Sequence, residues 1–379
     1  MRILLVGEYS RLHNSLKEGL LKNGHEVTLI SNGDWFKNYP SDISIKPTLT
    51  TTNPINYFRQ IIFKFFKIDI CKIEIGIKFY QKLPLLKNFD VVQLINEAPI
   101  QTFAFFERYL LQKLFHQNKN TFLLCCGVDY AVVNYLVKDI QKYSILTPYF
   151  NNVKAKKEYD YVFFYLSRRH KKTHQLVIRS IQGIIASDID YVLAIKNNSL
   201  YKAFIPNAIN TDKIAFIPNK ITDKIILFLG INRANYFAKG ISFFEDALKI
   251  IKIKYSNKVE IIIAENLQYN EYINQLKKAH IVLDQVYSYD QGYNALESMA
   301  MGKTVFTGAE TEFLDYYNLT EDTVCINALP NVNYLINKLS YLIENPIKIE
   351  EIGISARKFI ETHHQYINVA KEYEKVWNG

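Results

Sequence analysis

Hydrophobic residues at the start of the chain change from strand spacing to helical spacing and back. The apolar run "RILLV" has the length of a strand and is followed by Gly7. The next apolar positions recur at helical spacing, and they are Leu12, Leu16, Leu20 and Leu21. Gly24 comes after them, where a left-handed residue commonly ends a helix. Since "HEVTLIS" returns to strand character, this opening predicts a β-α-β unit with parallel strands and a right-handed crossover.

Strand and helix patterns continue to alternate along the chain in two blocks. The strand-like runs are "FDVVQLI", "TFLLCCG" and "GIIASD" in the first block, and "IILFLG", "VEIIIAE", "HIVLDQV" and "TVFTG" in the second. Between the blocks, "AFIPNAINTDKIAFIPNKITDKI" contains prolines and turn formers but no long periodic run. The pattern predicts an α/β fold with two Rossmann-like domains, each a doubly wound parallel sheet, that face a central cleft.

The chain of 379 residues is longer than most single domains, which agrees with this division. We assign residues 1–205 to the first domain and residues 206–361 to the second. Residues 362–379 contain the last helical pattern, with an apolar stripe formed by Tyr366, Val369, Tyr373 and Val376. We expect this helix to cross back to the first domain.

Composition limits the cellular setting and the partners. No apolar run approaches the roughly 20 residues of a membrane-spanning helix, and the apolar part of "MRILLVGEY" is too short for a signal peptide. The cysteines fit no metal-binding spacing and do not indicate disulfides. We therefore expect a cytoplasmic protein without a metal site. The net charge of +9 suits an anionic partner, but no nucleic-acid-binding motif is present, so we expect no nucleic acid partner.

Residues 57–87 combine aromatic residues with an excess of basic ones. One helical face contains Phe58, Ile61, Ile62, Phe65 and Phe66. Such a helix suits the surface of an anionic membrane, and the basic run "SRRHKKTH" adds to this interpretation. It predicts a protein that is peripheral at the inner face of the membrane. The alternative is a buried helix, followed by a strand-like run with solvated lysines.

The segment "GYNALESMAMGKTVF" places a glycine loop directly before a helix. Amide groups at a helix N-terminus favour anions, and Gly292 has no side chain that would block a diphosphate. A carboxylate such as Glu297 accepts two hydrogen bonds from the diol of a ribose. The pattern therefore predicts a nucleotide site. The alternative is a turn glycine followed by a solvated helix residue.

That segment, together with "ILLVGEYSRLHNSLKEGLLKNGHEV", "IPNAINTDKI" and "LFLGINRANYFAKG", resembles the GT-B fold glycosyltransferases. The resemblance covers nearly the whole chain and is to the large retaining group that builds bacterial glycans and glycolipids. It implies a hexosyltransferase of surface-glycan synthesis, which moves a sugar with retention from a nucleoside-diphosphate donor to a glycan or lipid-linked acceptor. It also implies that neither a metal nor another cofactor is required.

The resemblance assigns roles to individual residues of the donor loop. Glu297 matches the family carboxylate that holds the ribose hydroxyls. The loop before it contains Gly292, Tyr293 and Asn294. In the family another carboxylate, which contacts the transferred sugar, lies eight residues earlier, where this chain has Tyr289. Either Asp290 takes that role through a shifted loop, or Tyr289 indicates a different donor.

Other assignments lie outside this loop. Arg233 and Lys239 match the basic pair that neutralises the donor diphosphate in the family, although both residue types are common on solvated loops. Gly7 ends a strand at the edge where ligands of open α/β sheets bind, near the donor phosphates of the family. Asp129 stands where the family often has a histidine that touches the donor sugar. It could equally cap a helix, because Asp is a strong N-cap residue.

Two other functions fit the same two-domain form. A nucleotide-sugar epimerase or hydrolase would need additional carboxylates or histidines in the cleft, and the pattern shows none in register. A non-catalytic partner subunit would keep the fold without the site. The tyrosine at position 289 keeps this second alternative open.

Overall fold

The structure is a computed structural model that describes residues 1–138, 140–265, 267 and 269–379. Its first sheet is built from β1 (Arg2–Val6), β2 (Glu26–Ser31), β3 (Ile43–Ser44), β4 (Val91–Leu94), β5 (Thr121–Cys125), β6 (Gly183–Ala186) and β7 (Tyr201–Phe204). The strands are parallel, in the order β3-β2-β1-β4-β5-β6-β7. Residues 3–6 of the central strand β1 are wholly buried, because helices cover both faces of such a sheet.

The helices of the first domain precede or connect these strands. They are α1 (Leu12–Lys22), α2 (Ile55–Phe66), α3 (Cys71–Lys82), α4 (Ala104–Gln117), α5 (Tyr130–Leu136), α6 (Thr147–Asn151), α7 (Asp160–Phe163), α8 (Arg168–Ile178) and α9 (Ile189–Ile195). Gly24 has a φ of 84° just after α1, as predicted for a residue that ends a helix.

The second domain repeats the same architecture with a smaller parallel sheet. Its strands are β8 (Ile225–Ile231), β9 (Val259–Glu265), β10 (Ile281–Leu283), β11 (Thr304–Thr307) and β12 (Ile326–Asn327). They lie in the order β12-β11-β10-β8-β9. The remaining helices are α10 (Ile241–Lys254), α11 (Tyr269–Lys278), α12 (Tyr293–Ala300), α13 (Thr311–Tyr317), α14 (Val332–Glu344), α15 (Pro346–Phe359) and α16 (Tyr366–Asn378).

The chain crosses between the two sheets twice, and the crossing segments lie side by side. The Ile209 amide donates to the carbonyl of His364 at 2.7 Å, and the Tyr366 amide donates to the carbonyl of Ile209 at 3.1 Å. The helix α16 then packs against α1. Trp377 of α16 is buried, and its indole N–H donates to the side chain of Gln93 at 3.1 Å. The last helix therefore lies on the first domain.

Two expectations for residues 57–87 are wrong in detail. Residues 71–82 form the helix α3 and not a strand-like run. The helix α2 contains no buried residue, so the alternative of a buried helix is incorrect. No helix in the described part of the chain is both long and apolar enough to span a bilayer.

Candidate functional site

The β1–α1 segment of the first domain faces α12 of the second. The hydroxyl of Tyr293, in the first turn of α12, shares a 2.7 Å hydrogen bond with Ser15 of α1. It also lies 3.4 Å from the carbonyl oxygen of Ala208 in the crossing segment. Tyr293, predicted to bind the donor, therefore uses its hydroxyl to join the two domains. Its contacts place the donor loop at the cleft.

Glu297 lies one turn further along α12 and is half-buried at this cleft. Its carboxylate has no hydrogen bond or ion pair to any described residue. Burial raises the pKa of Glu297 to about 7, against the lowering effect of the nearby Arg11 guanidinium. Arg11 is itself paired with Glu18 at 3.0 Å, which holds the guanidinium on the first-domain side. The cleft thus presents a carboxylate with free hydrogen-bonding capacity.

The first turn of α12 offers amide groups close to this carboxylate. The amides of Tyr293, Asn294 and Ala295 open the helix, where backbone donors lack intrahelical acceptors. Gly292 precedes them with a φ of −70°, and a Cβ at this position would meet nothing nearer than Gln285 at 3.7 Å. The fold does not itself require glycine here, and the space in front of the helix is open. This arrangement is suited to an anion.

Lys239 is fixed beside the same turn by a buried carboxylate. Its Nζ lies 2.7 Å from the Oδ1 of Asp284, which follows β10 and is almost completely buried. The side-chain amide of Asn294 donates to the same oxygen at 3.0 Å, and the hydroxyl of Tyr272 donates to Asn294 at 2.7 Å. Lys239 and the first turn of α12 are therefore brought together through Asp284. The side chain of Asn294 has a positioning role.

Arg233, the other predicted cation, points in a different direction. It forms a two-pronged ion pair with Glu265, with both N–O distances at 2.6 Å. Glu265 ends the edge strand β9, whereas Asp284, the partner of Lys239, follows β10 on the other side of β8. The two cations of the loop after β8 thus diverge, and the structure does not bring Arg233 to the first turn of α12.

Tyr289 and Asp290, the two candidates for contact with the sugar, are packed against the first domain. They are 4% and 5% exposed, respectively. The hydroxyl of Tyr289 accepts from the Lys142 amide at 3.1 Å, and the carboxylate of Asp290 accepts from the Ile189 amide at 2.9 Å. Both side chains therefore stabilise the contact between the domains. Neither is open to a sugar in this arrangement.

Three carboxylates meet at that contact. Asp188 and Asp190 of the first domain and Asp290 of the second have oxygens that lie within 4.8 Å of one another. Asp190 accepts from the Ser288 hydroxyl at 2.8 Å and the Tyr289 amide at 3.0 Å. Burial raises the pKa of Asp190 to about 6, and burial and the neighbouring carboxylates raise the pKa of Asp290 well above its usual range. A cluster of this spacing has the oxygen ligands that a divalent cation uses.

Gly7 and Asp129 each have a structural role that explains the residue type at its position. The Gly7 amide donates to Ile30 at 2.9 Å, and a Cβ at Gly7 would lie 2.4 Å from the side chain of Ile95. Asp129 is 1% exposed and accepts from the Val132 amide at 2.8 Å at the start of α5. Of the two roles open to Asp129, the geometry favours helix capping, and we leave both residues out of the proposed site.

Sequence reasoning missed Glu8, the residue after Gly7. Its side chain is fully buried, and one oxygen accepts from the Asn14 amide at 2.9 Å. Its other oxygen has no described partner, and burial raises the pKa of Glu8 to about 8. An acidic residue directly after a strand of a parallel sheet was the signal available in the sequence. Glu8 supports the loop that faces α12.

A second missed group holds the domains together. Glu310, just after β11, accepts from the Lys142 ammonium at 3.1 Å and the Asn327 amide at 3.0 Å. It also accepts from the hydroxyl of Tyr143. Burial alone would raise the pKa of Glu310, but these donors lower it, so the carboxylate remains charged. The spacing of Lys142 and Glu310 along the chain gives no hint of this contact.

Known proteins share parts of the sequence and the whole fold. Residues 241–375 match the family described as glycosyl transferase-like. No curated protein sequence matches the chain. Sucrose-phosphate synthase from Thermosynechococcus elongatus has a similar structure, with a TM-score of 0.63 and 13% identity over 100% of this chain and 98% of that chain.

Two further solved structures are similar over their full length or nearly so. HepE from Anabaena, in complex with UDP and glucose, has a TM-score of 0.57 and 11% identity, over 100% of both chains. A putative UDP-N-acetylglucosamine 2-epimerase from Listeria monocytogenes has a TM-score of 0.53 and 11% identity, over 98% of this chain and 94% of that chain. The predicted fold class and resemblance are confirmed: the chain has the GT-B fold, and its residues 241–375 match the glycosyl transferase-like family.

Proposed function

We propose that the protein is a glycosyltransferase that moves a hexose from a nucleoside-diphosphate donor to the hydroxyl of a glycan or lipid-linked acceptor. The donor would lie between α12 and the β1–α1 segment. The observation that carries the proposal is the carboxylate of Glu297, which is half-buried at the cleft and has no hydrogen-bonding partner among the described residues. A ribose diol offers the two donors that such a carboxylate can accept.

Lys239 and the amides of α12 would hold the diphosphate. The ammonium is fixed by Asp284 at 2.7 Å, so it need not be reorganised when negative charge grows on the leaving group. Cations and helix-end amides that are already in place stabilise the transition state more than the ground state. Burial of the Asp284 carboxylate makes this position of Lys239 rigid.

Transfer would proceed with retention of the anomeric configuration. The bond between the anomeric carbon and the diphosphate oxygen breaks, and the acceptor oxygen attacks the same face of the sugar. The departing phosphate oxygen takes the proton of the acceptor hydroxyl, so no protein base is needed. The resemblance to the retaining group supports this route.

UDP is the nucleotide to test first. HepE, which has the same fold, is known in complex with UDP and with UDP-glucose. The resemblance to enzymes of bacterial glycans and glycolipids supports an acceptor of surface-glycan synthesis. A lipid-linked acceptor would require the protein to work at the inner face of a membrane, and the exposed aromatic residues of α2 support that location.

A second candidate is a nucleotide-sugar-binding protein that does not transfer sugar. Tyr289 and Asp290 favour it, since both possible sugar contacts are used between the domains. A third, an epimerase, is kept open by the similar fold of the putative epimerase from Listeria monocytogenes. Each of these two alternatives predicts a different fate for the donor. A binding protein leaves the donor intact, and an epimerase changes the sugar without releasing the nucleotide.

To test the proposal, the purified protein is incubated with a panel of UDP-hexoses, with and without simple glycoside acceptors. Released UDP and product masses are measured, and NMR reports the anomeric configuration. We expect acceptor-dependent UDP release and a retained linkage for one donor. Binding of a donor without turnover, or conversion of one UDP-hexose into another, would contradict the proposal and identify the alternative.

A further inference from the structure

The outer surface of the first domain contains helices whose exposed faces are unusually apolar. In α2 several aromatic residues are strongly exposed, with Tyr57 at 64%, Phe65 at 72% and Phe66 at 70% exposure. An ion pair between Arg59 and Asp69, at 2.8 Å, ties α2 to the start of α3. This ion pair anchors the helix, while its apolar side chains remain uncovered. Large exposed apolar patches mark contacts with a partner or a membrane.

The next two helices extend this apolar surface. The exposed face of α3 carries Ile73, Ile77 and Tyr80, one helical turn or so apart. Phe105 and Tyr109 form the matching stripe on α4, which packs against α3. The rings of Tyr80 and Tyr109 are 6.3 Å apart, so the two stripes are continuous.

Beside the stripe on α4, the surface changes from apolar to basic. A groove of about 340 Å³ lies between α4 and α8. Phe105 and Tyr109 of the stripe line its apolar side, and its basic lining residues are Arg108, Lys172 and Arg179. None of the three forms an ion pair with a described residue. Residues 161–187, which include α8, contain basic residues but no aspartate or glutamate. This groove therefore has positive charge without an internal counter-ion.

Arg108 is held in place while its charge stays unpaired. Its guanidinium donates to the carbonyl of Arg169 at 3.2 Å and lies 3.5 Å from the hydroxyl of Thr173. The carbonyl and the hydroxyl are both neutral, so they orient the Arg108 guanidinium without balancing its charge. An arginine fork suits the oxygens of a phosphate.

We propose that this surface binds an anionic phospholipid membrane, with the phosphate groups of the lipids in the α4–α8 groove and the aromatic side chains of α2, α3 and α4 at the boundary of the acyl chains. Aromatic and aliphatic stripes beside cations are the pattern of an interfacial membrane surface. A soluble polyanion would use the cations but would leave the apolar stripes uncovered. The inference deepens the membrane location in the proposed function and names the surface that provides it.

Vesicle flotation tests the proposal with the full chain. Wild-type protein is mixed with phosphatidylcholine vesicles that contain or lack phosphatidylglycerol. The groove variant carries Arg108→Gln, Lys172→Gln and Arg179→Gln. The control variant, Lys252→Gln, Lys258→Gln and Lys278→Gln, removes the same charge from exposed lysines of the second domain. We expect the groove variant to lose roughly a hundredfold in affinity for the anionic vesicles, since each cation near such a surface contributes severalfold. The control variant should bind like the wild type.

Further arms of the experiment separate the contribution of the groove cations to membrane binding from that of nonspecific charge and from that of the apolar side chains. Raised salt should weaken wild-type binding steeply without abolishing it, because apolar insertion is not screened. The variant Phe105→Ser with Tyr109→Ser should lose that salt-resistant part. Equal losses in the groove and control variants would overturn the proposal, as would binding to a soluble anionic polysaccharide but not to vesicles.

The nucleotide site provides an independent readout. Calorimetry with UDP should give the same affinity for the groove variant as for the wild type, because no described residue that lines the groove forms a hydrogen bond or ion pair with α12 or the β1–α1 segment. Failure of wild-type protein to float would refute the membrane surface while leaving UDP binding intact. Failure to bind UDP would refute the proposed function without affecting flotation.

Discussion

The ammonium of Lys239 lies 2.7 Å from the Oδ1 of Asp284, a carboxylate that is 2% exposed. The side chain of Asn294 donates to the same oxygen, so the cation is fixed against the first turn of α12. This relationship distinguishes Lys239 from Arg233, whose fork is occupied by Glu265 at the edge of the sheet. We therefore expect the two members of the predicted basic pair to differ in their effect on turnover.

Lys239→Ala should lower kcat by about a hundredfold, the scale for losing a charge partner fixed in advance for the transition state. Arg233→Ala should have a much smaller effect, because it removes an exposed surface pair. Lys249→Ala, which breaks another exposed pair, is the matched control. Steady-state kinetics measures all three, with thermal unfolding as a check on folding. Equal losses for Arg233 and Lys239 would mean that Arg233 leaves Glu265 to bind the diphosphate.

UDP affinity should depend on pH through Glu297. Because its pKa in the free protein is raised to about 7, the carboxylate that accepts from the ribose is fully present only above that pH. Binding should weaken as pH falls from 8 to 6. In the variant Glu297→Gln the contribution of this carboxylate to the pH dependence of UDP affinity should disappear. Only the contribution from titration of the nucleotide itself should remain. Identical pH profiles for the two proteins would show that Glu297 does not face the nucleotide.

The carboxylates between the domains should make stability depend on pH. The pKa of Asp190 is raised in the folded protein to about 6, so the folded state binds this proton more tightly than the unfolded state. Its contribution to stability is therefore present at low pH and is lost as pH rises through about 6. Asp190→Asn should raise Tm relative to wild type above pH 6 and match it near pH 4. Asp246→Asn, at an exposed position, should show no such difference.

Removal of metal ions should leave transfer unchanged. The resemblance implies a metal-independent enzyme, and in the proposed site Lys239 with the amides of α12 would supply the positive charge for the diphosphate. The assay compares initial rates with and without excess EDTA, and Tm under the same conditions. A fall in both quantities, restored by Mg²⁺ or Ca²⁺, would instead place a cation among Asp188, Asp190 and Asp290.

Much of the fold could be predicted because its signals are local. The apolar runs that become β5 and β8 are continuous, as expected for strands buried on both faces. The helix α3 is harder to predict from the sequence, because Ile73, Ile75 and Ile77 occupy alternate positions as in a strand. Its helical form depends on burial of Ile75 and Phe79 against the rest of the domain, which the local pattern does not contain.

The candidate site was predictable where the chemistry depends on one segment and not where it depends on two. Glu297 and Lys239 follow from their own loops, and the structure places both near the start of α12. The assignments of Tyr289 and Asp290 rest on their position relative to the family motif. Their contacts with Lys142 and Ile189 arise from distant parts of the chain and become visible only when the domains meet.

Calorimetric titration of UDP into wild-type protein and Glu297→Ala tests the central claim most directly. Loss of a charge-assisted pair of hydrogen bonds is worth about 2–3 kcal/mol, so the variant should bind roughly 30- to 150-fold more weakly. Glu351→Ala, which removes an exposed carboxylate from α15, should bind UDP like the wild type. A folded Glu297→Ala variant with wild-type affinity for UDP would contradict the account, because the carboxylate at the cleft would then have no part in holding the nucleotide.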